Sequence, residues 1–315
     1  MPSPWSPSDM PDLSGRNAVV TGPSLGGVGW HIARGLAEAG ARVILAGRSW
    51  EKLDAAGEAI RAAVPGAALD AVALDLADLQ SVRAAAEAID AVTFEAGGPL
   101  HILVNNAAAM ATAQQRTVDG LDLQMATNHF GPFLLTGLLL GSLATSGEGR
   151  IVTQTSLTYR FVKKAPLDFP TVPNGRYAPW RTYGSTKLAN MLFVTELARR
   201  LEKAALPVMA YASHPGVADS RIFDNGPGKS WFAPVADIGS SGMSVIAQSL
   251  EAAALPALMA ATAPDLKPGT LIGPRGFLRT RGAPGIEPVK GTATDPDAAR
   301  ALWELSEQTT GIVYP

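Results

Sequence analysis

The chain has 315 residues, and its 26 basic and 28 acidic side chains give a formal net charge of −2 at pH 7. Hydrophobic residues make up 47% of the sequence and charged residues 17%, which is enough apolar material for a large core and argues against intrinsic disorder. The balanced charge argues against a nucleic-acid binder that works through general basic charge. The absence of cysteine excludes disulfides, thiol nucleophiles and cysteine-ligated zinc.

The first twelve residues carry four prolines and no basic-then-apolar pattern. We therefore interpret residues 1–12 as an extended arm, not as a secretory signal. The densest apolar run, Phe133 to Ala144, is broken by Gly and Thr and is shorter than the roughly 20 residues of a membrane span, which predicts a buried helix. We expect no membrane span and a cytoplasmic location. The four histidines are scattered without metal-ligand spacing, so no metal site is predicted.

Short apolar runs of strand type alternate along the chain with segments of helical periodicity. The predicted strands are Asn17–Thr21, Arg42–Ala46, Leu69–Leu74, Leu100–Val104, Arg150–Thr155 and Val208–Ala212. The predicted helices are Trp30–Ala39, Trp50–Ala63, 78–92, 121–144 and 183–205. Nearly continuous Val, Ile, Leu and Ala strands, each followed by a crossover helix, predict an α/β fold. It is a single-domain, doubly wound parallel sheet over residues 13–315, with helices on both faces.

The last third of the chain, 220–315, is predicted to add helices, an extra strand near 269–273 and a segment that covers the site as a lid. Residues Pro264 to Pro288 are rich in Gly and Pro. On that composition we interpret them as a surface loop.

A glycine-rich turn follows the first predicted strand, with four glycines within the eight residues from Gly22 to Gly29. Such a turn lets the backbone approach a ligand closely and directs helix N–H groups at an anion such as a pyrophosphate. An ordinary Gly-rich turn is the alternative. The same residues also fit the G-x-S-x-G nucleophile elbow of ester hydrolases, with Ser24 as nucleophile. A hydrolase, however, builds several strands before its elbow, and here one predicted strand precedes it.

The residues that follow the next strands suggest which dinucleotide would bind. A carboxylate after the second strand would accept the 2′-hydroxyl of NAD, but the chain has Arg48 there, which can bind a 2′-phosphate and so favours NADP(H) over NAD(H). A solvated surface arginine is the alternative. Past the third strand, Asp75 could hydrogen-bond the adenine amino group or cap the helix that starts near Asp78. Asn105 and Asn106 end the fourth strand and either tie neighbouring strands together or line the cleft.

The decisive residues for catalysis lie further along the chain. Tyr183 and Lys187 are four residues apart in a helical segment, so both side chains project from one face. An ammonium beside a phenol stabilises the phenolate and lowers its pKa from about 10, which makes Tyr183 a candidate general acid/base. The spacing gains weight from its position, because the pair follows a strand that ends in Thr155-Ser156 and lies downstream of a dinucleotide-type loop. Tyr177 and Arg181 form a competing pair, which we rank lower because arginine stays charged and the segment is loop-like.

In this order, the motifs resemble those of the classical short-chain dehydrogenases/reductases, and most closely their retinol-dehydrogenase-like branch. The resemblance covers nearly the whole chain, from about Leu13 to Val313, and implies a Rossmann fold. The glycine loop at 21–29 resembles the family's TGxxxGxG, residues 105–107 its NNAG, and residues 183–187 its YxxxK. Residues 127–131 resemble the segment with the family's catalytic Asn, Pro215-Gly216 the Pro-Gly after the sixth strand, and residues 302–306 the C-terminal sequence of this branch.

The resemblance implies a role for each residue of a catalytic set. Tyr183 would exchange the proton with the substrate oxygen, and Ser156 would hydrogen-bond and orient that oxygen. Lys187 would hold the nicotinamide ribose and tune Tyr183, while Asn128 would anchor a water that relays protons to Lys187. Val217 would meet the nicotinamide amide through its backbone.

The resemblance also implies a set of cofactor-binding residues: Gly22, Ser24, Gly27, Val28, Gly29, Arg48, Ser49, Asp75, Leu76, Asn106, Ala107, Tyr183, Lys187, Pro215, Gly216, Val217 and Ser220. The chain departs from the family pattern at two points. Its glycine loop is one residue longer than usual, and Ala108 stands where the family usually has Gly.

These residues lead to the hypothesis of an NADP(H)-dependent oxidoreductase that interconverts a carbonyl and an alcohol on a small, lipophilic or aromatic substrate. The loops 157–182 and 218–235, the second with Trp231 and Phe232, would roof the substrate pocket. The alternatives are a non-catalytic NADP(H)-binding sensor or scaffold, and a serine ester hydrolase that uses Ser24. Members of the family occur as monomers, dimers and tetramers, so a homo-oligomer is compatible with this interpretation.

Overall fold

The computed structural model describes residues 5–168, 177–218 and 247–315, and within them eight strands join in one sheet. The strands are β1 (Asn17–Thr21), β2 (Arg42–Gly47), β3 (Leu69–Ala73), β4 (Leu100–Asn105), β5 (Gly149–Gln154), β6 (Val208–Ser213), β7 (Leu271–Pro274) and β8 (Pro284–Glu287). Their order is β3-β2-β1-β4-β5-β6-β7-β8. All neighbouring pairs are parallel except β7 and β8, which are antiparallel.

Helices cover both faces of the sheet. They are α1 (Val28–Glu38), α2 (Trp50–Ala63), α3 (Leu79–Glu95), α4 (Leu123–Met125), α5 (Gly131–Thr145), α6 (Pro179–Lys203), α7 (Leu250–Thr262) and α8 (Pro296–Thr310). Successive strand residues point to opposite faces, so Val19 packs in the core with α3, α5, α6 and α8, whereas Val20 packs in the core with α1, α2 and α7. This burial on both faces explains why the strands are apolar without alternation, and it confirms the predicted doubly wound α/β fold.

The strand order reverses between β1 and β4. The crossovers that leave these two strands therefore run in opposite directions, and a crevice opens at the carboxyl ends of the strands. Every loop that follows a parallel strand emerges at this same edge. The fold thus brings together residues that are far apart in the sequence.

The apolar run that predicted a buried helix lies in α5, where nine of the fifteen residues are buried. The predicted helix 121–144 is, however, not continuous. A turn of π-helix, Ala126–Phe130, separates α4 from α5. A side chain at Gly131 would overlap the backbone oxygen of Leu76, so glycine allows α5 to begin against the loop after β3. Across the described ranges, no helix has both the length and the apolar character that crossing a bilayer requires.

Two expectations drawn from composition need correction. Residues 284–287 of the Gly/Pro-rich stretch form β8, not surface loop, because an edge strand tolerates proline at its ends, where no ladder hydrogen bond is lost. The N-terminal arm is not extended throughout. Pro7–Asp9 form a 3-10 turn, which Ser6 closes by donating its N–H to the Asp9 carboxylate at 2.7 Å. Residues 1–4 lie outside the described residues.

The C-terminal helix α8 closes the core across α5 and α6. Trp303 is 2% exposed, and its ring lies 5.0 Å from that of Phe133 and 4.7 Å from that of Tyr314, measured between centroids. From the same helix, Ser306 Oγ lies 2.8 Å from His129 Nε2 in the π-turn. Burial lowers the pKa of His129 to about 3, so this imidazole is neutral and its contact with Ser306 is a neutral hydrogen bond.

Replacement of Trp303 by alanine is expected to lower the free energy of unfolding by about 3–5 kcal/mol, because it empties a closely packed aromatic cluster. Phe94→Ala is the matched control. Phe94 is 85% exposed on α3, so its loss is expected to change stability by less than about 0.5 kcal/mol. Urea unfolding of both variants measures the difference. Equal unfolding midpoints would show that α8 does not anchor the core.

Candidate active site

The predicted site residues lie along the carboxyl edge of the parallel strands. The glycine loop follows β1, Arg48 follows β2, Asp75 follows β3, and Ser156 and Pro215 follow β5 and β6. Ser220 lies outside the described residues, as do 169–176 of the loop after β5 and 219–235 of the second predicted roof loop, including Trp231 and Phe232. The remaining predicted residues share one edge of the sheet.

The glycine loop is joined to the end of β4 at the point where the strand order reverses. Thr21 Oγ1 accepts hydrogen bonds from the N–H groups of Asn106 and Ala107, both at 3.0 Å. Asn106 Nδ2 donates in return to the carbonyl of Thr21 at 2.8 Å. A Cβ at Gly22 would lie 2.8 Å from that of Ala107, and one at Gly29 would overlap the Asn106 amide. Both glycines are therefore required by this close approach.

The N-terminus of α1 has no side-chain cap. Its N-cap residue is Gly27, and the first turn, which starts at Val28, contains no acidic residue. By contrast, Ser49 caps α2 and Asp78 caps α3, each accepting hydrogen bonds from first-turn N–H groups. Because the first N–H groups of a helix need acceptors, the free N-terminus of α1 beside a glycine loop suits an anionic group such as a pyrophosphate.

The loops after β2 and β3 present one cation and one carboxylate. The Arg48 side chain is exposed. Asp75 Oδ1 accepts from the N–H of Ala77 at 2.9 Å, whereas the cap of α3 is Asp78, so Asp75 does not cap the helix. Leu76 is buried in the core. Asp75 and Arg48 are thus placed at the edge where the predicted adenosine half would bind.

Ser156, Tyr183 and Lys187 come together between β5 and α6. Ser156 begins a 3-10 turn after β5, and its hydroxyl is near enough to the Tyr183 phenol to lower the pKa of that phenol. Lys187, one helical turn beyond Tyr183, places Nζ 5.5 Å from the centroid of the Tyr183 ring. The same Nζ donates to the carbonyl oxygen of Gln154 at 3.0 Å, at the end of β5.

The pKa of Tyr183 differs from the sequence-based expectation. Burial raises the pKa of the phenol to about 12, and the hydrogen bond with Ser156 offsets only part of this effect. Burial also lowers the pKa of Lys187 to about 7. The expectation of a lowered phenol pKa was wrong because the amine that would stabilise the phenolate is itself desolvated and loses its charge near neutral pH. In the protein alone, Tyr183 is a neutral phenol and a proton donor.

Asn128 occupies the π-turn and joins the loop after β4 to α6. Its Nδ2 donates to the carbonyl of Ala109 at 2.8 Å and to Thr186 Oγ1 at 2.9 Å, and its Oδ1 accepts from the Ala109 N–H at 2.7 Å. The side-chain amide of Asn128 therefore holds Thr186, the residue that precedes Lys187 on α6. The predicted water relay through Asn128 stays a prediction.

The turn after β6 is fixed by the hairpin of β7 and β8. The Val217 N–H donates to the carbonyl of Thr280 at 2.8 Å, and the Val217 carbonyl accepts from the Gln248 N–H at 2.9 Å. Both main-chain groups are thus engaged within the protein, and a nicotinamide amide would have to compete with them. Gly216 has a φ of +66°, and a side chain there would overlap the Thr280 oxygen.

Tyr177, the competing candidate, forms a different contact. Its hydroxyl accepts from Gln124 Nε2 at 2.7 Å, and Gln124 Oε1 accepts from the Ala111 N–H at 2.9 Å. Gln124 thereby ties the loop after β4 to the start of α6. This fully buried glutamine is not predictable from the sequence, because a single amide in a helical segment carries no sequence signal.

Two other chemistries find no support in the described part of the chain. Ser24 is exposed, and none of the hydrogen bonds of the described residues joins its hydroxyl to an imidazole, which a serine hydrolase requires. Among the same residues, no three His, Asp or Glu side chains are grouped so as to hold a metal ion.

Comparison with known protein sequences identifies related chains. The sequence profile of the short chain dehydrogenase family matches residues 16–165. Dehydrogenase/reductase SDR family member 13 from Bos taurus is 37% identical over 305 residues, covering 95% of this chain and 74% of the relative. Retinol dehydrogenase 12 from Mus musculus is 40% identical over 213 residues, covering 68% of this chain and 65% of the relative.

Solved structures share the fold over most of the chain. A protein of unassigned function from Mycobacterium paratuberculosis superimposes with a TM-score of 0.77 at 34% identity, covering 99% of this chain and 100% of its own. A 3-oxoacyl (acyl-carrier-protein) reductase from Agrobacterium tumefaciens, solved with NADP bound, gives a TM-score of 0.60 at 26% identity, covering 79% of this chain and 88% of its own.

Lys187→Met is expected to increase stability more at pH 7 than at pH 9.5. The pKa of the amine is about 7 in the folded protein and about 10.4 in an unfolded chain. The wild type therefore loses stability as the pH falls from about 10 to about 7, whereas methionine does not titrate. Asn190 Nδ2 still donates to the Gln154 carbonyl at 2.9 Å in the variant, so no acceptor is orphaned.

Urea unfolding at several pH values measures the effect. Lys203→Met, at the exposed end of α6, is the control and should show a difference from wild type that does not vary over this range, because an exposed amine stays hydrated in both states. If the difference in free energy of unfolding between the Lys187 variant and the wild type were also independent of pH, the assignment of a neutralised, buried amine would be contradicted.

Proposed function

This chain belongs to the short-chain dehydrogenase family, enzymes that act on alcohol and carbonyl groups, and on that premise we propose that it is an NADP(H)-dependent oxidoreductase. It interconverts a carbonyl and an alcohol on a small, lipophilic or aromatic substrate. The observation that carries the proposal is the convergence of Ser156, Tyr183 and Lys187, with the Lys187 amine 5.5 Å from the centroid of the Tyr183 ring, at the edge that also bears the glycine loop. We also propose that residues 13–315 form a single catalytic domain and that the protein is cytoplasmic.

The proton step follows from the protonation states of these groups. A substrate carbonyl oxygen that accepts hydrogen bonds from Ser156 and Tyr183 meets a phenol that holds its proton, because burial raises the pKa of Tyr183 to about 12. In the reductive direction Tyr183 donates this proton as negative charge develops on the oxygen. The Lys187 amine, whose pKa of about 7 keeps both of its forms populated near neutral pH, returns a proton to the phenol.

The residues at the crevice suit a nicotinamide dinucleotide, which supplies or accepts the hydride when bound. The uncapped N-terminus of α1 and the glycine loop would hold the pyrophosphate. Arg48 would pair with the 2′-phosphate of NADP(H), and Asp75 would accept from the adenine amino group. The preference for NADP(H) over NAD(H) is supported by the absence of a carboxylate directly after β2 and by the NADP bound to the Agrobacterium relative.

The substrate class is supported by apolar side chains around Tyr183. The ring of Trp180 stands edge-on to that of Tyr183, with centroids 6.1 Å apart. Phe161, at the end of the turn that Ser156 begins, is 76% exposed. Aromatic surface next to the proton donor favours substrates with an apolar body and one reactive polar group. The mouse relative is named for such a compound, retinol, although nothing at this site selects retinol itself.

Tyr183→Phe is expected to reduce kcat by about 10²- to 10⁴-fold, the usual contribution of a positioned proton donor, while the Kd for NADPH changes by less than about twofold. The test is NADPH consumption with a panel of aromatic and aliphatic ketones and aldehydes. Tyr211→Phe is the control, because Tyr211 is buried in β6 and donates its hydroxyl to the Leu266 carbonyl. A Tyr183 variant that keeps most of its rate would rule out this residue as the proton donor.

Arg48→Glu is expected to weaken NADPH binding by about 10- to 100-fold, since a charge-assisted contact is replaced by repulsion between carboxylate and phosphate. NADH, which lacks the 2′-phosphate, should bind the variant no more weakly than it binds the wild type. Fluorescence titration with both nucleotides measures this. Arg61→Glu makes the same charge change on the exposed face of α2 and should leave both affinities unchanged. A wild type that prefers NADH would overturn the role of Arg48.

A further inference from the structure

Glu287, the last residue of β8, has a carboxylate that contacts two loops at one side of the candidate site. Its side chain is fully buried. It reaches across β7 at Gly273, where a Cβ would overlap the His214 ring and lie 2.7 Å from Glu287 Oε1. The glycine in β7 therefore leaves room for a contact between β8 and the end of β6.

The two oxygens of Glu287 bind residues from two different loops. Oε2 accepts from Arg160 Nη2 at 2.7 Å, and Arg160 lies in the 3-10 turn that Ser156 begins. Oε1 lies 3.2 Å from Nε2 of His214, the residue before Pro215. Burial would raise the pKa of Glu287, but the hydrogen bond with His214 and the charge of Arg160 outweigh it and hold the pKa below its ordinary value. The carboxylate is thus ionised with both oxygens engaged.

His214 extends this connection to the turn after β6. Its Nδ1 accepts from the Gly216 N–H at 3.1 Å, so the ring proton lies on Nε2 and is donated to Glu287. The imidazole has no exposed surface, and Gly216 is fixed on its other side by close approach to Thr280. A continuous path of hydrogen bonds therefore runs from the turn bearing Ser156, through Arg160, Glu287 and His214, to the turn of Gly216.

We propose that Glu287 is a positioning residue that holds the Ser156 turn and the Pro215–Gly216 turn at the separation that hydride transfer requires. The inference rests on the proposed function, in which Ser156 orients the substrate oxygen and the turn after β6 borders the nicotinamide. Small misplacements of reacting groups slow the chemical step far more than they weaken binding. The effect of Glu287 is therefore expected in kcat and not in ligand affinity.

Glu287→Gln is the direct test. Glutamine keeps the shape of the side chain, but its single oxygen cannot accept from both Arg160 and His214. We expect kcat to fall by about tenfold or more, with KM and the Kd for NADPH within about threefold of wild type. The primary kinetic isotope effect on kcat, measured with NADPH deuterated at C4, should increase, because hydride transfer becomes the slow step.

Glu196→Gln is the matched control. Glu196 is an equally buried carboxylate with two arginine partners, Arg199 and Arg200. It lies on α6 nine residues beyond Lys187, about 13 Å along the helix. Its replacement perturbs a buried ion pair of the same kind and should leave kcat and the isotope effect unchanged. If both variants keep the wild-type kcat, or both lose it equally, Glu287 has only a structural role and the inference is wrong.

Arg160 provides a second test should the Glu287 variant not fold, because its side chain is 27% exposed and its loss is better tolerated. Arg160→Met should lower kcat in the same direction, and Arg160→Lys, which keeps a cation at the carboxylate, should restore most of it. Full activity of Arg160→Met would contradict the proposal. Failure of the proposed function would be distinguishable from failure of this inference. If the proposed function were wrong, the wild-type protein itself would bind NADPH and reduce no carbonyl.

Discussion

The burial of one primary amine, that of Lys187, is the constraint on which the geometry of the candidate active site depends. Nζ is buried and needs an acceptor within the protein, and it donates to the carbonyl oxygen of Gln154 at 3.0 Å. Thr155 in turn donates its hydroxyl to the Lys187 carbonyl at 2.8 Å. These two contacts fix α6 against the end of β5. The relative placement of Tyr183 and Ser156 is a consequence of that fit.

Loops at the carboxyl edge are held by side-chain amides and hydroxyls that bind the backbone of other loops. Thr21 and Asn106 join the ends of β1 and β4, and Asn128 fixes Ala109 against α6. The contacts of Thr21 and Asn106 lie just beyond the last paired residues of β1 and β4, so polar side chains continue the connection where the strand pairing ends. Loops fixed in this way keep their geometry before a ligand arrives, which lowers the reorganisation needed during the reaction.

The sequence was sufficient for the features that depend on local pattern. Apolar runs located the strands of the parallel sheet, and polar residues along the chain, including the Tyr183 and Lys187 pair, predicted a candidate site that the fold brings to one edge. It was insufficient where the outcome depends on distant residues. The pKa of Tyr183 follows from burial by surrounding elements, which no spacing reveals. The strand that carries Glu287 has a loop-like composition, because an edge strand needs few apolar residues, and its partner His214 lies 73 positions earlier in the chain.

The contact between His129 and Ser306 joins residues 177 positions apart and supports the π-turn that carries Asn128. This has a consequence for the order of events during synthesis. Because α8 follows β1 to β8 in the chain, a nascent chain can assemble β1 to β6 and the glycine loop while the π-turn still lacks its packing partner. The glycine loop and the π-turn can therefore reach their final structure at different stages of translation. A chain cut before α8 would retain the strands of the sheet but lose the support of the π-turn that carries Asn128.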